Sequence, residues 1–211
     1  MTIEETRKKI LEDDEFVLAE IEKIRYAYKL KKEIRYAQKR EGLIDTESVA
    51  EHIYGMYVIT SYFLPLEDVR GEWDKQKILE MIVWHDVDEL VTGGTVTHWK
   101  TESFLKQAEE AIPEAISNLP ELLQEPISKL VEEYEVRESI EAQFVKAIDK
   151  GEPLFEMWDE FYKDILHRNG NTLENHWQYK RSYIENFPYL MRFVEVATKR
   201  LVQKGFFTAE K

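Results

Sequence analysis

Chain breakers are what this sequence lacks. Its 211 residues include eight glycines, six prolines and no cysteine, so glycine and proline each occur at about half their usual frequency. Tight turns depend on those two residues, and a hairpin-rich sheet protein needs many of them. Between the few breaks, apolar residues recur at helical spacing. In SVAEHIYGMYVITSYF, the residues Val49, Ile53, Met56, Tyr57 and Phe63 fall on or near one helix face. Ile78, Met81, Ile82 and Val83 do the same ahead of Trp84, as do Ile140, Phe144, Ala147 and Ile148 within ESIEAQFVKAID. No stretch alternates in the manner of a half-buried strand. The pattern predicts an all-α fold.

Helices are expected at 3–38 with a break near 15, and at 47–64, 74–92, 101–118, 120–134, 138–150, 153–168 and 174–203. The last should break near Pro188, because the residue before a proline is pushed out of the α region. Loops are expected at 41–46, 65–73, 92–98 and 167–172. No repeat, low-complexity tract or linker divides the chain, so residues 1–211 read as one single-domain helical bundle. A globule of this length buries roughly 70% of its unfolded surface, enough for a core without staples.

Composition narrows the class further. There are 42 acidic residues against 29 basic ones, a net charge of −13, which argues against a broad nucleic-acid-binding face. Hydrophobic residues at 43% and aromatics at 12% are too abundant for a disordered chain. No apolar run approaches the ~20 residues of a membrane span, and MTIEETRKKILEDDEF has no apolar signal-peptide core. The absence of cysteine removes disulfides, thiolate nucleophiles, Fe–S clusters and cysteine-type zinc sites together. A cytoplasmic protein is expected, with neither a nucleic-acid polymer nor a membrane as partner. No P-loop, GxSxG or Rossmann glycine pattern is present.

Histidine is scarce enough to weigh each copy: His52, His85, His98, His167 and His176. His85 and Asp86 are adjacent in MIVWHDVDEL, and two readings are open. The pair is either a helix-surface pair or two donors about 100° apart that reach one point beside the helix and share a metal ion. Glu89 follows His85 by one turn on the same face. His52 sits on a separate amphipathic helix beside core-facing residues, as a satisfied core histidine or as a ligand. Asp149 follows the apolar FVKAI at the end of a helix, where a carboxylate is costly to bury without a partner. Together His52, His85, Asp86 and Asp149 would form an N2O2 set suited to Mn, Fe, Co, Zn or Mg. Trp158, Tyr162, Trp177, Tyr179 and Tyr183 read as core or as a subunit contact, and AEEAIPEAISNLPELLQE as a solvated helix face. His167 and His176 are assigned no catalytic part.

The segments TESVAEH, WHDVDEL and VEEYEVRESIEAQFVKAIDKGEPL resemble the HD-domain phosphohydrolases, most closely their small 5′-deoxynucleotidase-like branch. The likeness runs from about Leu30 to Leu154, with residues 155–211 as helices that complete the domain. The resemblance implies that His52, His85, Asp86 and Asp149 bind a divalent metal, and that the family's acidic residue after the HD pair is Glu89. It implies Arg35 as the phosphate-binding arginine, with Arg40 as its neighbouring competitor, and Thr97 and Lys100 as further substrate contacts. One position departs from the family: Gly94, in GGTVTHWK, stands where an aspartate usually helps hold the nucleotide sugar, and His98 stands where proline is usual.

The resemblance further implies removal of the 5′-phosphate of a (deoxy)nucleoside monophosphate by a metal-activated water, in a homodimer that binds a small phosphorylated substrate. Glu89 and Arg35 would be the catalytic side chains. Two other readings stay open. One is an HD-type triphosphohydrolase or hydrolase of another phosphoester; the other is a non-catalytic helical module that binds metal.

Overall fold

The computed structural model describes residues 2–27, 49–92, 101–119 and 121–208. Arg35, Arg40, Gly94, Thr97, His98 and Lys100, together with the expected loop at 41–46, lie outside the described residues. Twelve helices run through the described residues. They are α1 Ile3–Glu12, α2 Asp14–Ala27, α3 Val49–Glu67, α4 Lys75–Trp84, α5 Glu89–Thr92, α6 Glu102–Ser117, α7 Glu121–Val136, α8 Ile140–Glu156, α9 Phe161–Arg168, α10 Leu173–Gln178, α11 Arg181–Ile184 and α12 Pro188–Gln203. The only β pairing among the described residues is an isolated bridge between Thr172 and Thr208. No helix there is long and apolar enough to cross a membrane. The fold is all-α, as the sparse punctuation predicts.

Several helix ends differ from the sequence expectation, each for a local reason. The first break falls at Asp13, whose extended backbone ends α1 while its carboxylate accepts the Phe16 N–H and opens α2. The expected 74–92 helix is interrupted, because α4 stops at Trp84 and a turn over 85–88 precedes α5. α3 runs past Pro65 to Glu67, where Arg7 donates to the Pro65 and Leu66 carbonyls and so satisfies the helix end. α8 continues through Pro153 instead of ending at 150. Proline removes one ladder bond from the preceding turn, and Lys180 Nζ donates to the Lys150 carbonyl there at 2.8 Å. The expected 174–203 helix is divided into α10, α11 and α12. Its last break is the expected one, with Phe187 non-helical at φ −116° and Pro188 opening α12.

α8 is the central element. Ala142, Phe144, Val145, Ala147, Ile148, Gly151, Leu154 and Phe155 are all buried, so the helix is covered nearly all round. Around it the main core gathers aromatic pairs such as Phe63–Phe193, edge to face at 4.9 Å, and Phe144–Phe187 at 5.4 Å. Trp158 and Tyr162 belong to this core and Trp177 packs on its edge, while Tyr179 is exposed. The expected apolar faces are narrower than their sequence pattern, because Tyr57, Val83 and Ile140 point to solvent. A second, smaller cluster joins Val87 to Ala115, Ile116, Ile127 and Val131. The acidic stretch read as a solvated face thus supplies one buried stripe, and that stripe holds Val87 in the turn after α4.

Two histidines are structural in this architecture. His167 Nε2 meets the Gly205 carbonyl at 2.9 Å. His176 is buried between Trp177 and Phe207, with Nε2 3.0 Å from Thr198 Oγ1. Burial, with Lys180 adding to it, pushes the His176 pKa down to about 2. Its unfolded value is the ordinary 6.5, so between those two pH values the unfolded chain holds a proton that the folded chain does not. Stability present above pH 6.5 is therefore lost as the pH falls through this window. Urea unfolding from neutral pH towards about pH 4 should show the midpoint dropping. His176→Gln should flatten that slope by up to about 1.4 kcal/mol per pH unit; an unchanged slope would show that another group sets the acid limit.

Candidate metal centre

Three helices bring the singled-out residues together: His52 near the start of α3, His85 and Asp86 directly after α4, and Asp149 in the middle of α8. Asp149 is not at a helix end, as the sequence suggests, because α8 extends past Pro153. One donor atom each from His52, His85 and Asp86 lies within 4.8 Å of the others. Asp149 stands beside this trio, with Oδ1 3.5 Å from His52 Nε2.

The two imidazoles are oriented by different partners. His85 Nδ1 lies 2.9 Å from the Ile82 carbonyl, an acceptor only, so Nδ1 carries the hydrogen and Nε2 is left with its lone pair. That Nε2 is buried without a hydrogen-bond partner. Asp86 Oδ2 approaches it to 3.0 Å, two acceptor atoms side by side once Nδ1 carries the hydrogen. His52 Nδ1 faces Glu152 Oε2 at 3.0 Å, which leaves its Nε2 on the side of Asp149. Both rings thus turn Nε2 inward, 5.5 Å apart between centroids.

The adjacent donors sit in the turn after α4. Val87 N–H donates to Trp84 and Glu89 N–H to Asp86, both three residues back, a tightening that ends the α ladder. Glu89 therefore does not continue the helix of His85, as the sequence predicts; it opens α5, half-buried, on the far side of the turn.

Asp149 divides its two oxygens. Oδ2 receives Tyr134 OH at 3.2 Å and sits 3.0 Å from Lys150 Nζ and 3.4 Å from Lys146 Nζ. Oδ1 is the oxygen on the His52 side. Burial alone would raise the Asp149 pKa, but Lys150 and Lys146 outweigh it and hold the carboxyl well below its usual range. Burial would lower His52, yet its hydrogen bonds to Asp149 and Glu152 hold it well above. Burial, then the nearby carboxylates, keep Tyr134 a neutral phenol and hence a donor. Burial beside Lys150 pushes Lys180 down to about 8. Two imidazole nitrogens and two carboxylates fit a hard or borderline divalent ion, which would displace the His52 Nε2 proton on binding.

The sequence reasoning missed Tyr134, Lys146, Lys150 and Glu152. A signal existed on α8, where Lys146, Asp149 and Glu152 recur every three residues on one face of a helix that is otherwise apolar. The expected substrate contacts Arg35, Arg40, Thr97 and Lys100 lie outside the described residues.

The 5′-deoxynucleotidase HDDC2 of Homo sapiens is 31% identical over 126 residues, which is 59% of this chain and 58% of that protein. The 5′-deoxynucleotidase hdd1 of Schizosaccharomyces pombe is 30% identical over 128 residues, 56% of this chain and 60% of that one. The chain thus spans under two thirds of the length of these relatives. HDDC2 of Dictyostelium discoideum is 30% identical over 152 residues, 69% of this chain and 78% of its own length. In fold, the chain matches a crystal structure described as a predicted metal-dependent phosphohydrolase from Magnetospirillum magnetotacticum. The TM-score is 0.68 at 20% identity, covering 88% of this chain and 95% of the other. A family model described as HD domain matches residues 27–191. The chain belongs to the HD-domain family.

Proposed function

We propose that the protein is a metal-dependent phosphohydrolase that removes the 5′-phosphate from (deoxy)nucleoside monophosphates. The observation that carries the reading is the pair of inward-facing Nε2 atoms beside Asp86 and Asp149. The names of the 5′-deoxynucleotidase relatives supply the substrate class. His52, His85, Asp86 and Asp149 would hold the ion, and Mn, Co, Mg, Fe and Zn all suit such donors. When bound, a divalent ion lowers the pKa of a coordinated water towards ~7–9 and draws charge from the phosphate.

The chain's own residues supply the rest. Lys146, Lys150 and Tyr134 keep Asp149 ionised and aimed through Oδ1. Hydrolysis forms a bond from the water oxygen to phosphorus and breaks the bond to the 5′-oxygen, which needs a proton as it leaves. Glu89 is assigned to that proton or to orienting the water. Arg35, together with Arg40, Thr97 and Lys100, is assigned to the phosphate oxygens, where an arginine fork binds in bidentate fashion. The reading includes a cytoplasmic homodimer acting on a free nucleotide, away from nucleic-acid polymers and membranes. The net charge of −13 argues against a nucleic-acid polymer, the lack of cysteine suits a reducing compartment, and the homodimer rests on the family resemblance alone. Gly94, in place of the family's sugar-holding aspartate, keeps a triphosphohydrolase as the second reading, because the vacated space suits a bulkier ligand.

A phosphatase screen of nucleoside mono- and triphosphates with Mn, Co or Mg tests the proposal. Inorganic phosphate should be released from the monophosphates. Triphosphate release from the triphosphates would favour the second reading, and no turnover with bound metal would favour a binding module. His52→Ala, His85→Ala, Asp86→Ala and Asp149→Ala should each lower bound metal by elemental analysis and abolish turnover. Full metal and activity in Asp149→Ala would remove that residue from the centre.

Glu89→Gln separates chemistry from binding. It keeps the side-chain volume and loses the exchangeable proton, so metal content should stay while the rate falls by roughly 10²–10⁴-fold. A near-normal rate would reduce Glu89 to a surface acid.

A further inference from the structure

We propose that Glu152 is a positioning residue for the metal centre, and that residue 55 is glycine in order to make room for it. The inference rests on the metal-centre reading above and deepens it.

Glu152 is fully buried, and a carboxylate in the interior is retained only when its charge and lone pairs are met. Its Oε2 lies 3.0 Å from His52 Nδ1. An imidazole presents whichever nitrogen its other hydrogen bond leaves free, so this contact fixes Nδ1 as the N–H and turns Nε2 towards Asp149 and the His85 ring. A carboxylate behind the ring also makes the imidazole a stronger donor. The spacing on the two helices matches. Asp149 and Glu152 are three residues apart on α8, and His52 and Gly55 are three residues apart on α3, so each helix turns one short face to the other.

Gly55 closes the argument from the opposite side. It is buried in the middle of α3, where glycine weakens a helix relative to alanine. No backbone requirement explains it, since the positive-φ glycines among the described residues are Gly71, Gly170 and Gly205. What explains it is space. A Cβ on Gly55 would collide with Glu152 Oε1 and come within 3.0 Å of its Cδ and 3.3 Å of its Cγ. Those atoms are the end of a side chain, so a methyl group there would displace the carboxylate that holds His52.

The test is Co(II) binding to the full chain, followed by visible absorption in competition with a chelator, with circular dichroism to confirm folding. Glu152→Ala should weaken Co(II) by about 10–100-fold, the usual effect of removing a partner behind a ligand. Glu152→Gln keeps an acceptor oxygen in place and should lose less. Gly55→Ala should weaken Co(II) by several-fold or more without touching a ligand. In the Glu152→Ala background Gly55→Ala should cost nothing further, because both act through one contact. Wild-type affinity and spectrum in Glu152→Ala would overturn the proposal, and so would wild-type behaviour of Gly55→Ala should Glu152→Ala fail to fold. Failure of the wild-type chain itself to bind Co(II) would overturn the metal reading and this proposal with it. A loss confined to the variants overturns neither.

Discussion

Two carboxylates in the middle of a buried helix set the terms for the rest of this structure. α8 is covered on nearly every side, yet it carries Asp149 at 13% side-chain exposure and Glu152 at 0%. An uncompensated charge in such a place costs several kcal/mol, so the neighbouring elements must present donors to it. α7 brings Tyr134, α8 itself brings Lys146 and Lys150, and α3 brings His52. Packing and charge compensation are therefore one problem here. Two of the helices that cover α8, α3 and α7, also supply partners to its acids.

The second constraint is the end of α4. Adjacent residues on a helix diverge by about 100°, so His85 and Asp86 can meet only at a point beside it. α4 stops at Trp84, the backbone bonds after it run to residues three back, and His85 Nε2 and Asp86 Oδ2 lie 3.0 Å apart there. The turn is not left to itself. Val87, between Asp86 and Asp88, is buried in the small cluster formed with α6 and α7. α7, which also gives Tyr134 to Asp149, and α6 thus hold the turn that carries His85 and Asp86.

How much of this could be read from the residues follows from the range of the forces involved. Helical content was legible because it rests on spacing within one segment. The ends were less so: Pro65 and Pro153 look like stops, but both helices run past them, and Arg7 and Lys180 reach in from distant parts of the chain to carbonyls nearby. His52, His85, Asp86 and Asp149 were legible as an ordered set of metal-binding residue types. Glu152 was not, because an acid three residues from another acid is usually a solvated face, and only its burial distinguishes it. Gly55 was hidden for a related reason. A mid-helix glycine carries no signal until the helix that crosses it, and the side chain between them, are known.

The centre assigns each polar side chain one atom for orientation and leaves another for chemistry. His85 commits Nδ1 to a backbone carbonyl, His52 commits Nδ1 to Glu152, and Asp149 commits Oδ2 to a phenol and two ammonium groups. The atoms left over are Nε2, Nε2 and Oδ1, and they are the ones that converge. The partners are not equivalent. A carbonyl dipole behind His85 fixes its direction alone, whereas a carboxylate behind His52 also adds negative charge to the ring and raises its basicity. The lysines act in the opposite sense on Asp149, drawing charge from one oxygen while keeping the group ionised. A chain with a net charge of −13 thereby gathers cations at one point, with Lys146 and Lys150 at Asp149 and Lys180 bonded to the adjacent carbonyl. Local arrangement, rather than overall charge, decides what such a site can accept.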